Sequence, residues 1–203
     1  MAFRPRLGMA TFFTLIIIVL FALGNWIMDR PGAEPEPLQW RATYEERLWA
    51  PLREGNLTLA DVVAVMGETG ELWMISADGE PQLVSRHVIQ SDDEDWRMQA
   101  VISLDEQRME SLKQAQDWKA DMADQSVSPG IAAALVGQPV ERMSLTPFQP
   151  IDTQRIIATL GEPDMRMEVS GDDQAWVYGR AGVVVAVTGE QAYSIMFGLR
   201  GNR

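Results

Sequence analysis

Cysteine is absent from this chain of 203 residues, histidine occurs once, and lysine twice, as Lys113 and Lys119. Without cysteine there is no disulfide framework, no thiolate nucleophile, no cysteine-ligated zinc or iron–sulfur cluster, and no lipid attached through an N-terminal cysteine. Positive charge is also scarce: 17 Lys and Arg stand against 29 Asp and Glu, a formal net charge of -12. That balance repels phosphate backbones, and no cluster of Lys and Arg offsets it, so nucleic acid is excluded as the principal partner. The sequence holds no G-x-G-x-x-G, Walker, H-E-x-x-H or G-x-S-x-G motif. The residues that carry most hydrolytic and metal chemistry are few, and an enzyme has no positive support.

What is present begins with LGMATFFTLIIIVLFALGNWIM, residues 7–28, which is free of charge. As a helix it reaches about 33 Å, enough to span a bilayer. Arg4 and Arg6 precede it, and Asp29, Arg30, Glu34 and Glu36 follow. The positive-inside rule then leaves the N-terminus in the cytoplasm and exports the rest, with Trp26 at the outer headgroup level. Ala22-Leu23-Gly24 is a tolerable cleavage site, so a removed signal peptide is the alternative, but the apolar stretch outruns the usual 7 to 15 residues of a signal core. The exported part carries 15 basic and 29 acidic residues, a net charge of -14. PGAEPEP then reads as an extended tether.

The expected organisation is an anchor at 1–28, a Pro/Glu-rich tether at 29–42, an α+β subdomain at 43–127 and a second, helix-hairpin subdomain at 128–203, with one domain or two left open. Thr43-x-x-Glu46 has the capping-box form, with Tyr44, Leu48 and Leu52 on one face. ELWMIS, PQLVSRHVI and WRMQAVISL read as antiparallel strands, separated by Asp78-Gly79 and by the acidic stretch Asp92 to Asp95. Ser103-x-x-Glu106 opens a helix to about Met122; Ser128-Pro129 opens another that Gly137 closes; SLTPFQP reads as a linker. A helix capped by Asp152 or Thr153 ends at Gly161, and MRMEV, AWVYG, VVVAV and YSIMFGL follow as strands. Residues 62–68 and 156–162 share three of seven identities, an echo consistent with two helix-then-hairpin modules.

His87 lies in a strand with Ser85 two residues away on the same face, and reads as structural rather than as a base, because no oriented carboxylate is evident beside it. Asp92-Asp93-Glu94-Asp95 lacks the alternating ligands, the turn glycine and the distal Glu of a calcium loop. Gly171-Asp172-Asp173 is a hairpin connection, and no two carboxylates stand out as a glycosidase-like pair. No catalytic, cofactor-binding or metal-ligating residue is therefore assigned. Of the seven tryptophans, Trp73, Trp96 and Trp176 fall in strands and Trp118 in a helix; any exposed one is a natural partner anchor.

The C-terminal stretch, with Leu160-Gly161-Glu162-Pro163 after a capped helix and Trp176-Val177-Tyr178 in a strand, resembles the small periplasmic modules of the SmpA/OmlA (BamE-like) kind over about 50 residues. The resemblance implies a compact α+β scaffold that contacts envelope proteins, with Trp176 and Tyr178 as partner contacts. This chain departs from that pattern in lacking the lipidated cysteine and in having a membrane span. Leu23-Gly24-x-Trp26-x-x-x-Arg30 is similar to the end of the first membrane helix in a class of cytochrome oxidase assembly proteins; those have a second such helix, and nothing after Arg30 here is long and apolar enough to be one.

The expectation is a single-pass protein of a bacterial inner membrane, in the bilayer through residues 7–28, with a periplasmic α+β region serving as a non-catalytic interaction or scaffold module accessory to envelope assembly or maintenance. The alternatives are a tethered periplasmic hydrolase using carboxylates and His87, and a diffusible periplasmic binding protein if the N-terminus is cleaved. Strong negative charge as an adaptation to high salt is a third.

Overall fold

The computed structural model describes residues 35–68, 70–91 and 94–198. The segment expected to span a membrane, 7–28, lies outside them; among the described residues no helix is long and apolar enough to cross a membrane. From Pro37 on, the described residues form one compact unit, an α+β fold with antiparallel strands and short helices.

A helical run opens it, made of α1 (Trp40–Tyr44), a π-helical turn (Glu45–Trp49) and α2 (Ala50–Glu54). The wide turn has a local cause in Pro51, which has no N–H to give and whose ring would press on the carbonyl four residues back. The N–H of Ala50 accordingly donates to the Glu45 carbonyl, five residues back. After α3 (Leu59–Met66) come β1 (Glu71–Ala77), β2 (Glu80–Ile89) and β3 (Trp96–Ile102). Next are α4 (Glu106–Gln116), a two-residue β4 (Gln125–Ser126), α5 (Pro129–Leu135), β5 (Val140–Pro147) and β6 (Ile151–Asp152). Finally α6 (Thr153–Leu160) leads into β7 (Met165–Ser170), β8 (Asp173–Tyr178), β9 (Val183–Thr188) and β10 (Gln191–Phe197).

All the strands join one ten-stranded sheet in the order β4-β1-β2-β3-β5-β10-β9-β8-β7, with β6 beside β10. Every pairing is antiparallel. The first meander starts at one side and steps inward to β3; the second starts at the far side with β7 and steps inward to β10; β5 lies between them. The 127/128 division drawn from the sequence therefore falls inside a single sheet. The two helices related by the sequence echo, α3 and α6, each precede one meander and end at Gly67 and Gly161.

Register shows how the core is placed. Leu72, Ser85, Ala100, Met143, Phe197, Val183 and Tyr178 stand opposite one another in turn across seven strands. All are buried, and the apolar residues buried around this row include Leu48, Leu52, Val62 and Ile156 from the helices. Leu59, Leu112 and Ala132 from α3, α4 and α5 cover Leu72, Met74, Leu83 and Ile102 on the same face. Helices thus cover one face of the sheet.

Several local expectations are corrected. Of the stretch expected as a tether, 29–42, Leu38 and Trp40 are packed into the core, each 2 % exposed. The Leu38 N–H donates to Thr159 Oγ1 at 2.8 Å, and Trp40 meets Trp49, Trp96 and Phe197 edge to face with centroids 5.0, 5.5 and 6.3 Å apart. An apolar pair in a Pro/Glu-rich stretch has docked because its burial outweighs the extended preference around it. Thr43 does not cap the first helix, which begins before it. The cap of α4 is Asp105, not Ser103, and accepts from the Arg108 N–H; α4 stops at Asp117, in the left-handed region at φ 48. Ser144 to Pro147 of the expected linker belong to β5, where Ser144 and Leu145 pair with both β3 and β10.

Replacing Trp40 with Ala is expected to cost roughly 3–5 kcal/mol, as for other fully buried aromatics. Denaturant unfolding of the full chain checks this; a loss below about 1 kcal/mol would return residues 38–42 to a tether that does not pack.

Candidate functional site

A sheet covered by helices on one side leaves a second face, and its composition differs between the two meanders. The row Glu71, Arg86, Gln99, Ser144, Met196, Val184, Val177, Met165 runs across eight strands, each residue opposite the next. Its first half is polar and its second half apolar. A neighbouring row, Ser194, Ala186, Ala175, Met167, extends the apolar half.

The first meander has apolar residues on this face too, but they are shielded. Val84 is fully buried and Val101 nearly so. The Arg86 guanidinium lies over the Trp73 ring at 5.1 Å and pairs with Asp124 at 2.6 Å. Arg142 on β5 reaches Gln82 on β2 at 3.1 Å, across the intervening β3. Long cationic side chains with apolar stems cover such surface well. In the second meander nothing comparable overlies the apolar residues among the described residues. Met165 is 56 % exposed, Met167 49 %, Val169 67 % and Met196 38 %, while Ala175, Val177, Val184 and Ala186 are half-buried. Scattered exposed apolar residues are ordinary; a contiguous set on one face marks an interaction surface.

This surface ends at β7, which is exposed on both faces and terminates the sheet. The opposite side of the sheet is finished differently. There β4 pairs with β1 through Trp73–Ser126 and Met74–Gln125, and the Val127 N–H donates to the Leu72 carbonyl at 2.8 Å.

Trp176 and Tyr178, expected as partner contacts, are 5 % and 4 % exposed on the helix-covered face. Arg166 lies over Trp176 at 4.4 Å, and Trp176 Nε1 donates to Gln174 at 3.0 Å. Burial pushes the Tyr178 hydroxyl up to about 12, with Glu162 adding to the rise and Arg166 opposing it. In this fold the two aromatics form core, and the residues alternating with them, Ala175 and Val177, meet the open face. The continuous apolar run VVVAV was the available signal: a strand apolar on both faces in an antiparallel sheet has something to meet on each.

Ser85 and His87 are brought together, Oγ to Nε2 at 2.7 Å, but both are buried. Gly70 is seated over the imidazole in the left-handed region, at φ +63; a Cβ added there would lie 2.4 Å from His87 Cε1, so only glycine fits. Nδ1 is buried without a hydrogen-bond partner. The pair has the reach of a base and its nucleophile, yet among the described residues no carboxylate hydrogen-bonds the ring and Ser85 has no exposed surface. Among the described residues no group of three His, Asp or Glu could hold a metal. A cleft of about 570 Å³ between α4 and α5 is open and includes Asp105, Arg108, Ser111 and Gln138 in its lining. Arg108 is already engaged there by Gln138 at 2.7 Å and Asp105 at 3.4 Å.

No protein-family model, curated protein or solved structure matches this chain.

Burial holds the His87 pKa below the usual histidine value, against the pull of Glu68. A ring kept neutral by the fold fixes the sign of its pH dependence. Its contribution is fully present above the unfolded pKa of about 6.5, and is lost as pH falls from there toward the depressed folded value, because the unfolded chain takes up the proton first. Urea midpoints should fall between about pH 7 and pH 5.5. His87→Gln should flatten that slope; an equal slope in the variant would assign it to other groups.

Proposed function

We propose that this protein is a single-pass, membrane-anchored interaction module of a bacterial envelope, with its α+β region outside the cytoplasm and no catalytic role. The observation that carries the reading is the apolar, helix-free face of β7 to β10. The first meander has the same open aspect but shields it with Arg86 and Arg142; the second leaves methionine and valine uncovered, at a free energy cost that contact with a partner would offset. Methionine suits such a surface, being unbranched, polarizable and adaptable. The charge-free segment at 7–28 and the arginines before it support the anchor and its orientation. The resemblance to BamE-like modules agrees with a scaffold accessory to envelope assembly or maintenance, with the contact surface moved from Trp176 and Tyr178 to the face behind them.

Met196→Glu places a charge on the β10 side of this face at a position already exposed. It is expected to leave unfolding within about 1 kcal/mol of wild type, yet to abolish copurification of the full chain with envelope proteins and fail to restore the envelope of a deletion strain. Unchanged copurification and full restoration by a normally abundant variant would overturn the reading. Intact chain in the inner-membrane fraction, with its bulk digested by protease added to spheroplasts, is the accompanying result; a shortened soluble chain would remove the anchor.

A further inference from the structure

The two sides of the sheet are built alike and finished differently. Each meander begins on the outside and steps inward. At β1 the chain supplies its own closing strand, β4; at β7 the described residues supply none. An unpaired edge presents N–H and C=O groups ready for another strand, and proteins that keep such an edge alone blunt it with proline, charged side chains (lysine above all), a bulge or a short length. β7 holds neither proline nor lysine, and its two charges, Arg166 and Glu168, are of opposite sign. Its bulge at Val169, between the Glu168–Gln174 and Ser170–Asp173 pairs, leaves Met165 to Glu168 in regular register.

The sequence of that stretch, Met165-Arg166-Met167-Glu168-Val169, is self-complementary. In an antiparallel pair of identical strands the two-fold axis is perpendicular to the sheet and must pass through a residue, because opposed residues share a face. Centred on Arg166, the axis sets arginine against arginine. Centred on Glu168, it sets glutamate against glutamate. Centred on Met167, it sets Arg166 opposite Glu168 of the second copy and Glu168 opposite its Arg166. Met167 then meets its own counterpart, and Met165 lies opposite Val169 of the second copy. Opposite charges directly across a pair stabilise it and like charges disfavour it, so the charges select one register. Both side chains are placed to serve, with Arg166 and Glu168 exposed on the face of Trp176. Arg166 reaches Glu162 at 2.9 Å, and a guanidinium with five donors can hold that contact and a second carboxylate.

We infer that β7 pairs with β7 of a second copy about a two-fold axis at Met167, joining the two sheets edge to edge. This rests on the interaction-module reading and names its partner as the chain itself. The axis keeps both helix layers on one side and makes the open apolar faces of the two copies continuous on the other.

The absence of cysteine makes the test specific, because a single introduced cysteine has only its own copy to meet within a homodimer. Full-length Met167→Cys, in its native membrane, should form a disulfide-linked dimer on mild oxidation, since directly opposed Cα atoms lie about 4.5–5.5 Å apart, within the Cα separation a disulfide spans. Tyr193→Cys, exposed on β10, should not. Adding Arg166→Glu or Glu168→Arg singly should lower the crosslinked fraction by about tenfold, each change creating two like-charge pairs. The two together should restore it, a rescue that a merely structural role for either residue would not give. Thermal unfolding of each variant separates lost pairing from lost folding, with Glu168→Arg as the gentler change because, among the described residues, Glu168 makes no contact comparable to that of Arg166 on Trp176. No dimer from a folded Met167→Cys, or no recovery in the folded double reversal, overturns the self-pairing. A photocrosslinking residue at 167 distinguishes the two levels. Capture of another envelope protein in place of the chain itself leaves the interaction reading standing and removes the second copy; capture of neither removes both.

Discussion

A β-sheet has two faces, and this chain makes helices for one. The constraint follows from its connections: α3 and α6 precede the two meanders, α4 and α5 lie between β3 and β5, and each lays its apolar stripe on the same side. What remains must be wet, shielded or met by something else. The row from Glu71 to Met165 is wet in its first half, the patch around Val84 is shielded by arginine, and the surface from Met196 to Met165 has neither treatment.

β5 makes the two meanders one object. It pairs with β3 on one side and β10 on the other, and the loop before it satisfies the start of α3 through hydrogen bonds from Leu59 to the Gln138 carbonyl and from Ala60 to the Val136 carbonyl. The N-terminal helical run then bridges both halves: Trp40 contacts Trp96 of β3 and Phe197 of β10, and Trp49 stacks on Phe197 at 4.2 Å. Aromatic packing between segments this far apart in sequence explains why the unit begins at Pro37 rather than after a longer tether. Within this joined sheet the two meanders are finished differently. One has its edge closed by β4 and its outer face guarded by charge; in the other, among the described residues, both edge and face are open.

Much of the fold was legible in the sequence. Alternation and turn residues located the strands of both meanders, Ser128-Pro129 and Gly161 marked helix ends, and the echo between 62–68 and 156–162 corresponds to the two helices that open them. Three features were not legible, each for a physical reason. Leu38 and Trp40 look like tether because proline and glutamate surround them, and only tertiary contact shows that they pack. SLTPFQP looks like linker because of its prolines, yet Pro147 ends β5 opposite Trp96, at a strand terminus where proline is tolerated. Trp176 and Tyr178 draw the eye as partner anchors because aromatics dominate interfaces, but a strand shows its large residues to whichever face holds the core. The candidate surface is made of alanine, valine and methionine, which carry no chemical signature; its sequence trace is the unbroken VVVAV and the alternation of MRMEV.

An interaction surface on the open face must be covered where the protein works. Oxidative footprinting of methionine in the full chain tests this most directly, because Met165, Met167 and Met196 lie on the surface, Met74, Met98 and Met143 are buried controls, and Met122 is exposed elsewhere. Comparing native membranes with dilute purified protein, the account predicts that Met165, Met167 and Met196 are protected in membranes and react when diluted, while Met122 reacts in both and the buried three in neither. Equal reactivity of Met165, Met167 and Met196 in the two settings would contradict it.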